Sequence, residues 1–207
     1  MRTVVLKPSD KVFEKAKNFI LEGQCVAFPT GCVYGIGANC FSDDAVKKIY
    51  SAKECDSPNM MVLLVPISYP IENLVEEIPA DAKKLMDAFW PGELTILFKN
   101  KNTVSRLASA YGDVVGIRVP SDPVAHRILV ECGLPLATPS ANITGRDSPI
   151  NADEVLAQLV GRIPMIIDGG PCENKTPSTV VDATGDRLEV VRLGTISEEE
   201  IRRVLEN

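Results

Sequence analysis

Short apolar runs alternate with segments of helical period along almost the whole chain, and this alternation constrains the fold more than any other feature. Runs of strand length are Cys25 to Phe28, Met61 to Val65, Leu94 to Phe98, Val114 to Val119, Pro135 to Thr138, Met165 to Ile167, Thr179 to Val181 and Leu188 to Val191. Several are apolar at every position, the pattern of strands covered on both faces. Helical spacing appears at Val12, Phe13, Ala16, Phe19 and Ile20, with Asp10 as the N-cap and Gly23 as the stop. It recurs at Ala45, Val46, Ile49 and Tyr50 behind Ser42, with Asp43 and Asp44 in the first turn where the helix dipole favours them. Further helices are expected over Ala82 to Phe89, Pro123 to Val130 and Ala152 to Leu159. A last one opens at Ser197-Glu198-Glu199-Glu200 with capping-box spacing. Strands interleaved with helices predict an α/β fold, and the imperfect alternation predicts a mixed sheet rather than an all-parallel one. With 207 residues, no internal repeat and no low-complexity linker, one domain over residues 1–207 is expected.

Charge and composition exclude several classes of function. The formal net charge is −6, so no global positive field would hold nucleic acid, and any anion site must be a local cluster of Lys and Arg. The longest apolar stretch, Met60 to Ile67, contains Pro66 and falls far short of a membrane span. The start, Met1 to Lys7, has no apolar core long enough for a signal peptide, so a cytosolic protein is expected. Six cysteines (Cys25, Cys32, Cys40, Cys55, Cys132, Cys172) form no C-x-x-C pair and read as free thiols, with no metal site. The single histidine, His126, falls off the apolar stripe of its helix, which leaves Ser-His, Cys-His and His-rich metal chemistry without a base.

Chemistry is concentrated in the polar segments between strands. Pro29-Thr30-Gly31-Cys32-Val33-Tyr34-Gly35-Ile36-Gly37-Ala38-Asn39 is glycine-rich enough to approach a phosphate closely, or to form a turn packed against a helix; it matches no nucleotide-loop motif. Pro139-Ser140-Ala141-Asn142-Ile143-Thr144-Gly145-Arg146-Asp147-Ser148-Pro149 gathers hydroxyls, an amide and a guanidinium, a set suited to a polyanion and also to a long turn. Arg118 lies inside an apolar strand, so it needs either an ion-pair partner or an anion in a cavity. Arg192 ends another strand, and Lys53 follows a helix.

These landmarks, taken in order, resemble the YrdC/YciO family and, within it, single-domain threonylcarbamoyl-AMP synthases. The resemblance rests on Pro29 to Gly37, Ala52-Lys53 with Asn59, and Trp90-Pro91-Gly92. It continues through Gly116-Ile117-Arg118-Val119-Pro120, Pro139-Ser140-Ala141-Asn142, Ser148-Pro149 and Asp168-Gly169-Gly170. Ser178-Thr179-Val180-Val181-Asp182 and Arg192-x-Gly194 close the set. It implies a twisted mixed sheet with flanking helices around one large basic cavity. It further implies a nucleotidyltransferase that joins L-threonine, bicarbonate and ATP, with Mg2+, into threonylcarbamoyl-AMP and pyrophosphate. Other proteins, including a t6A transferase, would then act on adenosine 37 of certain tRNAs. By position, Lys53, Asn59, Ser140, Asn142, Ser148 and Arg192 would hold ATP. Arg118, clamping the carboxylate bidentately, would hold threonine together with Ser178, Cys32 and Thr138, and Lys53 and Arg118 would be the catalytic cations. No protein nucleophile is required, in keeping with a chain that has almost no histidine. Any lid would come from the chain's own loops.

Several positions depart from the family pattern. Gly31-Cys32 replaces an acidic-Thr pair, Lys53-Glu54-Cys55 replaces Lys-x-Arg, Asn59-Met60-Met61 replaces Asn-Pro-Leu, and Leu64 replaces a histidine. Val114 replaces a hydroxyl residue, and Thr138 stands where a small one is usual. One lost charge-assisted contact costs about 1.5–3 kcal/mol, enough to weaken ATP binding without abolishing it. Cys32 and Cys55 would face one cavity, as tolerated replacements, a redox pair or soft-metal ligands. The alternatives to the synthase are a paralogue acting on another amine, a double-stranded RNA or tRNA-binding protein without synthase activity, and a catalytically silent relative.

Overall fold

A computed structural model describes residues 1–172 and 176–206. The elements run β1 (Val4–Leu6), α1 (Asp10–Leu21), β2 (Val26–Pro29), β3 (Tyr34–Asn39), α2 (Asp43–Ala52), β4 (Val62–Leu64), α3 (Ala80–Phe89) and β5 (Leu94–Lys99). They continue with β6 (Val114–Arg118), α4 (Pro123–Cys132), β7 (Leu136–Ala137), α5 (Ala152–Leu159), β8 (Met165–Ile167), β9 (Thr179–Asp182), β10 (Glu189–Arg192) and α6 (Glu198–Glu206). The strands form one sheet in the order β1-β8-β2-β3-β7-β4-β6-β5-β9-β10. Pairing is parallel at β1/β8, β2/β8, β4/β6 and β5/β9 and antiparallel elsewhere, the mixed sheet that the sequence predicts.

Each face of the sheet has its own core. Phe13, Ala16 and Ile20 of α1 and Val124, Ala125, Ile128 and Leu129 of α4 pack on Val26, Phe28, Met165 and Ile167. The larger core takes Val46 and Ile49 of α2, Leu85 of α3, Val155 and Leu159 of α5, and Ile201 of α6 against Tyr34, Ile36, Leu63, Ile96 and Ile117. Helix starts follow local chemistry. The Ser42 hydroxyl accepts from the Ala45 amide at 3.2 Å, and the Asp122 carboxylate accepts from the Val124 and Ala125 amides. At α6, Glu200 reaches back to the Ser197 amide at 2.8 Å, closing the expected capping box.

Two expectations are corrected, and one strand is added. The α1 N-cap is Ser9, with Asp10 already inside the helix. The first strand, β1, is too short to stand out as an apolar run and forms because β8 offers it a parallel edge. The glycine-rich stretch is not one loop: Tyr34–Asn39 is the strand β3, and residues 30–33 are the turn before it. Tyr34, Ile36 and Ala38 face the larger core, while Gly35 and Gly37 face the other side, where neighbours leave no room. A Cβ on Gly37 would lie 2.7 Å from the Phe28 ring, and one on Gly35 would lie 2.6 Å from Thr138 Cγ2. These glycines serve close packing between strands.

Candidate functional site

Strand alternation delivers Arg118 to the site. In β6, Val115 and Ile117 point into the larger core, so Arg118 points to the opposite face. There it lines a cleft of about 230 Å3. In β4, Leu63 is in the core, while Val62 and Leu64 form an apolar wall of that cleft. The β2–β3 turn contributes Thr30 and Cys32, the segment after β7 contributes Thr138 and Ser140, and the polar loop contributes Ser148. Ser178 and Arg192, at the near ends of β9 and β10, close the far side. A second cleft of about 200 Å3 carries Lys53, Cys55, Asn59 and Asn142 and adjoins the first at Met60, Pro139 and Ser140. All ten residues singled out in the sequence line one or the other. The two clefts share Met60, Pro139 and Ser140 and so run into one another.

The electrostatics depart from simple exposed cations. Arg118 is 5% exposed and is tied down on one edge. Its Nε donates to Gly92 O at 2.8 Å, its Nη2 donates to Thr30 O at 2.7 Å, and Nη2 also pairs with the Glu93 carboxylate. Nη1 has no acceptor among the described residues and no buried unsatisfied atom is found there, so Nη1 is the end offered to the cleft. A bidentate clamp of the kind expected would need Nη2, which is already engaged. Glu93, itself 9% exposed, also accepts from Ser121 Oγ at 3.0 Å and from the Cys32 thiol. Burial pushes that thiol up to about 12, with Glu93 adding to the shift and Arg118 opposing it, so Cys32 is a protonated donor and not a nucleophile.

Lys53, the C-cap of α2, turns its ammonium onto the polar loop: Nζ donates to Ser140 O at 2.5 Å and Asn142 O at 2.8 Å, with Asn142 Oδ1 at 3.4 Å. Burial lowers it to about 8. Asn142 is equally committed, its Nδ2 donating to Ile143 O and Arg146 O. Ser140 and Ser148 keep their hydroxyls free of partners among the described residues. Arg192 caps Ser178 O at 2.9 Å through Nη2, and Ser178 Oγ bonds Thr95 Oγ1 at 2.8 Å. Asn59 donates only to Cys55 Sγ, at 3.6 Å, from its side chain. Lys53 and Asn142 therefore shape the loop, and Ser140, Ser148 and Arg192 are the groups presented.

The altered positions also find their places. Cys32 and Cys55, expected to face one cavity, line different clefts, and among the described residues no group of three His, Cys, Asp or Glu could hold a metal ion. Glu54 pairs with Arg162 and lines neither cleft. His126 is half-buried on α4, away from both. Glu93 is the residue that sequence reasoning missed; it follows Trp90-Pro91-Gly92 directly, but nothing local marks its contacts with residues 32, 118 and 121. Among the described residues no helix is long and apolar enough to cross a membrane.

Residues 18–194 match the family model described as "Telomere recombination", covering Sua5, YciO and YrdC proteins. The chain is 40% identical over 201 residues to the threonylcarbamoyl-AMP synthase of Bacillus subtilis (strain 168), covering 97% of this chain and 58% of that one. It is 40% identical over 191 residues to a putative threonylcarbamoyl-AMP synthase of Mycobacterium tuberculosis (strain ATCC 25618 / H37Rv), covering 92% and 87%. The crystal structure of P. abyssi Sua5 complexed with L-threonine superposes with a TM-score of 0.92 at 36% identity, covering 98% of this chain and 60% of that one. The chain thus spans under two thirds of the length of the Bacillus and P. abyssi relatives. A family model over most of its length, and a close relative matched nearly end to end, place the chain in the Sua5/YciO/YrdC family.

Proposed function

We propose that this chain is a threonylcarbamoyl-AMP synthase, an ATP-dependent enzyme that forms an adenylate and releases pyrophosphate. The observation that carries the reading is the convergence of Arg118, Ser178, Arg192 and the unpartnered hydroxyls of Ser140 and Ser148 on one cleft. A guanidinium and nearby hydroxyls suit an amino-acid carboxylate at one end and phosphates at the other. In this reading Arg118 Nη1 receives the α-carboxylate of threonine. The amine forms a bond to the carbon of bicarbonate with loss of water. One oxygen of the resulting carbamate attacks the α-phosphorus of ATP, and the bond to pyrophosphate breaks. Ser140 and Ser148 donate to phosphate oxygens, and Arg192 offsets the charge that grows on the leaving pyrophosphate. Lys53 holds the loop that presents Ser140, so it acts on the nucleotide by placing that hydroxyl.

Mg2+ would enter with the triphosphate, since hydroxyls and phosphates, without a carboxylate cluster, suit an ion that keeps much of its water. Transfer of the product to tRNA is assigned to other proteins. The apolar wall formed by Val62 and Leu64 beside Cys32 favours one second reading, an amino acid with a less polar side chain. The test is pyrophosphate release from ATP and bicarbonate with each amino acid in turn. Release only with threonine is expected. Release with another amine would support the second reading, and no release at millimolar ATP would overturn both.

A further inference from the structure

We propose that Glu93 is a positioning residue: it holds Arg118 so that only the Nη1 end meets the substrate carboxylate, and it thereby sets the affinity for the amino acid. The inference deepens the synthase reading and rests on it for the identity of the ligand.

Three separate pieces of chain meet on this one carboxylate. Arg118 comes from β6, Cys32 from the β2–β3 turn and Ser121 from the segment leading to α4. Arg118 and Cys32 line the cleft, whereas Glu93 stands behind them. A carboxylate in that place has no route to substrate, but it fixes which guanidinium hydrogens remain free. It also accepts the Cys32 thiol hydrogen beside the same guanidinium. The backbone is shaped for it: a Cβ on Gly31 would sit 2.5 Å from Glu93 Oε1, and Gly31 itself lies at φ +98, where side chains are rarely tolerated. A buried ion pair of this kind fixes geometry more reliably than it adds stability.

The test compares the full chain with Glu93→Gln, which keeps the shape and removes the charge. Calorimetric titration with L-threonine should show affinity reduced about 10- to 100-fold, the scale of one charge-assisted contact, with ATP affinity within about twofold. Iodoacetamide labelling read by peptide mass gives a second signal independent of substrate. Cys32, which reagent can reach from the cleft, should label faster in the variant, because the carboxylate that holds its thiol hydrogen is gone. Cys25 and Cys40, buried like Cys32 but lining neither cleft, should stay unlabelled in both proteins and so report that the fold is intact. Ser121→Ala, at an exposed position, removes one partner of the carboxylate without emptying the interior and should weaken threonine by a smaller factor, about threefold.

Unchanged threonine affinity in both variants would overturn the proposal. Tighter threonine in Glu93→Gln would also overturn it, showing that Glu93 competes with the substrate for Arg118. A wild-type chain that binds no threonine, yet whose Cys32 becomes reactive in Glu93→Gln, would sink the synthase reading and leave the positioning role standing. No change in Cys32 reactivity would sink the positioning role alone.

Discussion

Removing the guanidinium of Arg118 would do two separable things: it would take away the cleft's carboxylate receptor and leave Glu93 buried without its cation. Arg118→Ala should therefore lower turnover by at least about a hundredfold and also destabilise the fold by about 3–5 kcal/mol, as lone buried charges do. Arg118→Ala combined with Glu93→Ala should recover most of that stability in urea unfolding but none of the activity, because the two sites are coupled. Lys53 gives a different signature. Its lowered pKa means the folded chain binds fewer protons than the unfolded one between pH about 8 and the ordinary lysine value of 10.5. Its contribution to stability consequently rises with pH across that window. The ammonium that grips the 140–142 carbonyls disappears over the same range, so kcat/KM for ATP should fall above pH about 8 while the melting temperature gains from this group. Lys53→Arg, which stays charged, should flatten the activity profile; a profile unchanged by it would remove Lys53 as the cause. The sequence made Lys53, Asn142 and Arg118 visible as polar groups in an apolar setting. It did not reveal that Lys53 bonds chiefly to backbone, because that depends on where the loop at residues 140–142 comes to rest, nor that Asn142 turns its amide onto Ile143 and Arg146 of its own loop.

Among the elements, the alternating apolar runs and the helix caps were readable because both are set by neighbours in the chain. β3 was not, because a strand with glycine at alternate positions lacks the usual β-branched signal, and only the Phe28 and Thr138 side chains explain the missing Cβ atoms. β10 depends on a similar contact. A Cβ on Gly194 would stand 2.6 Å from both the Ser178 carbonyl carbon and the Thr179 nitrogen, and backbone cannot yield as a side chain tip can. Gly194→Ala should lift β10 from β9, costing about 1–3 kcal/mol. It should also release Arg192 from Ser178 O. Amide exchange at Val190 and Arg192 should accelerate while exchange in α1 and α4 does not; uniform acceleration would argue for a general loss of stability instead.

For the molecule as a whole, the ten strands found in one sheet among the described residues, with a core on each face, lead us to propose a single cooperative domain. Calorimetry should give one transition whose van't Hoff and calorimetric enthalpies agree; two resolved transitions would refute it. The formal charge of −6 opposes a broad RNA-binding face, so tRNA affinity of the isolated chain should be weak and fall steeply with salt, while threonine-dependent pyrophosphate release should not follow that slope. The pattern of runs made the mixed sheet legible; the pairing order was not, since β7 sits between β3 and β4 through contacts remote in sequence. The pocket behind Arg118 carries an evolutionary consequence. A carboxylate fills it from position 93, and a Cβ at position 31 would lie 2.5 Å from that carboxylate. Relatives that carry an acidic residue at 31 should lack Glu93, so across related sequences the two positions should covary as mutually exclusive acids.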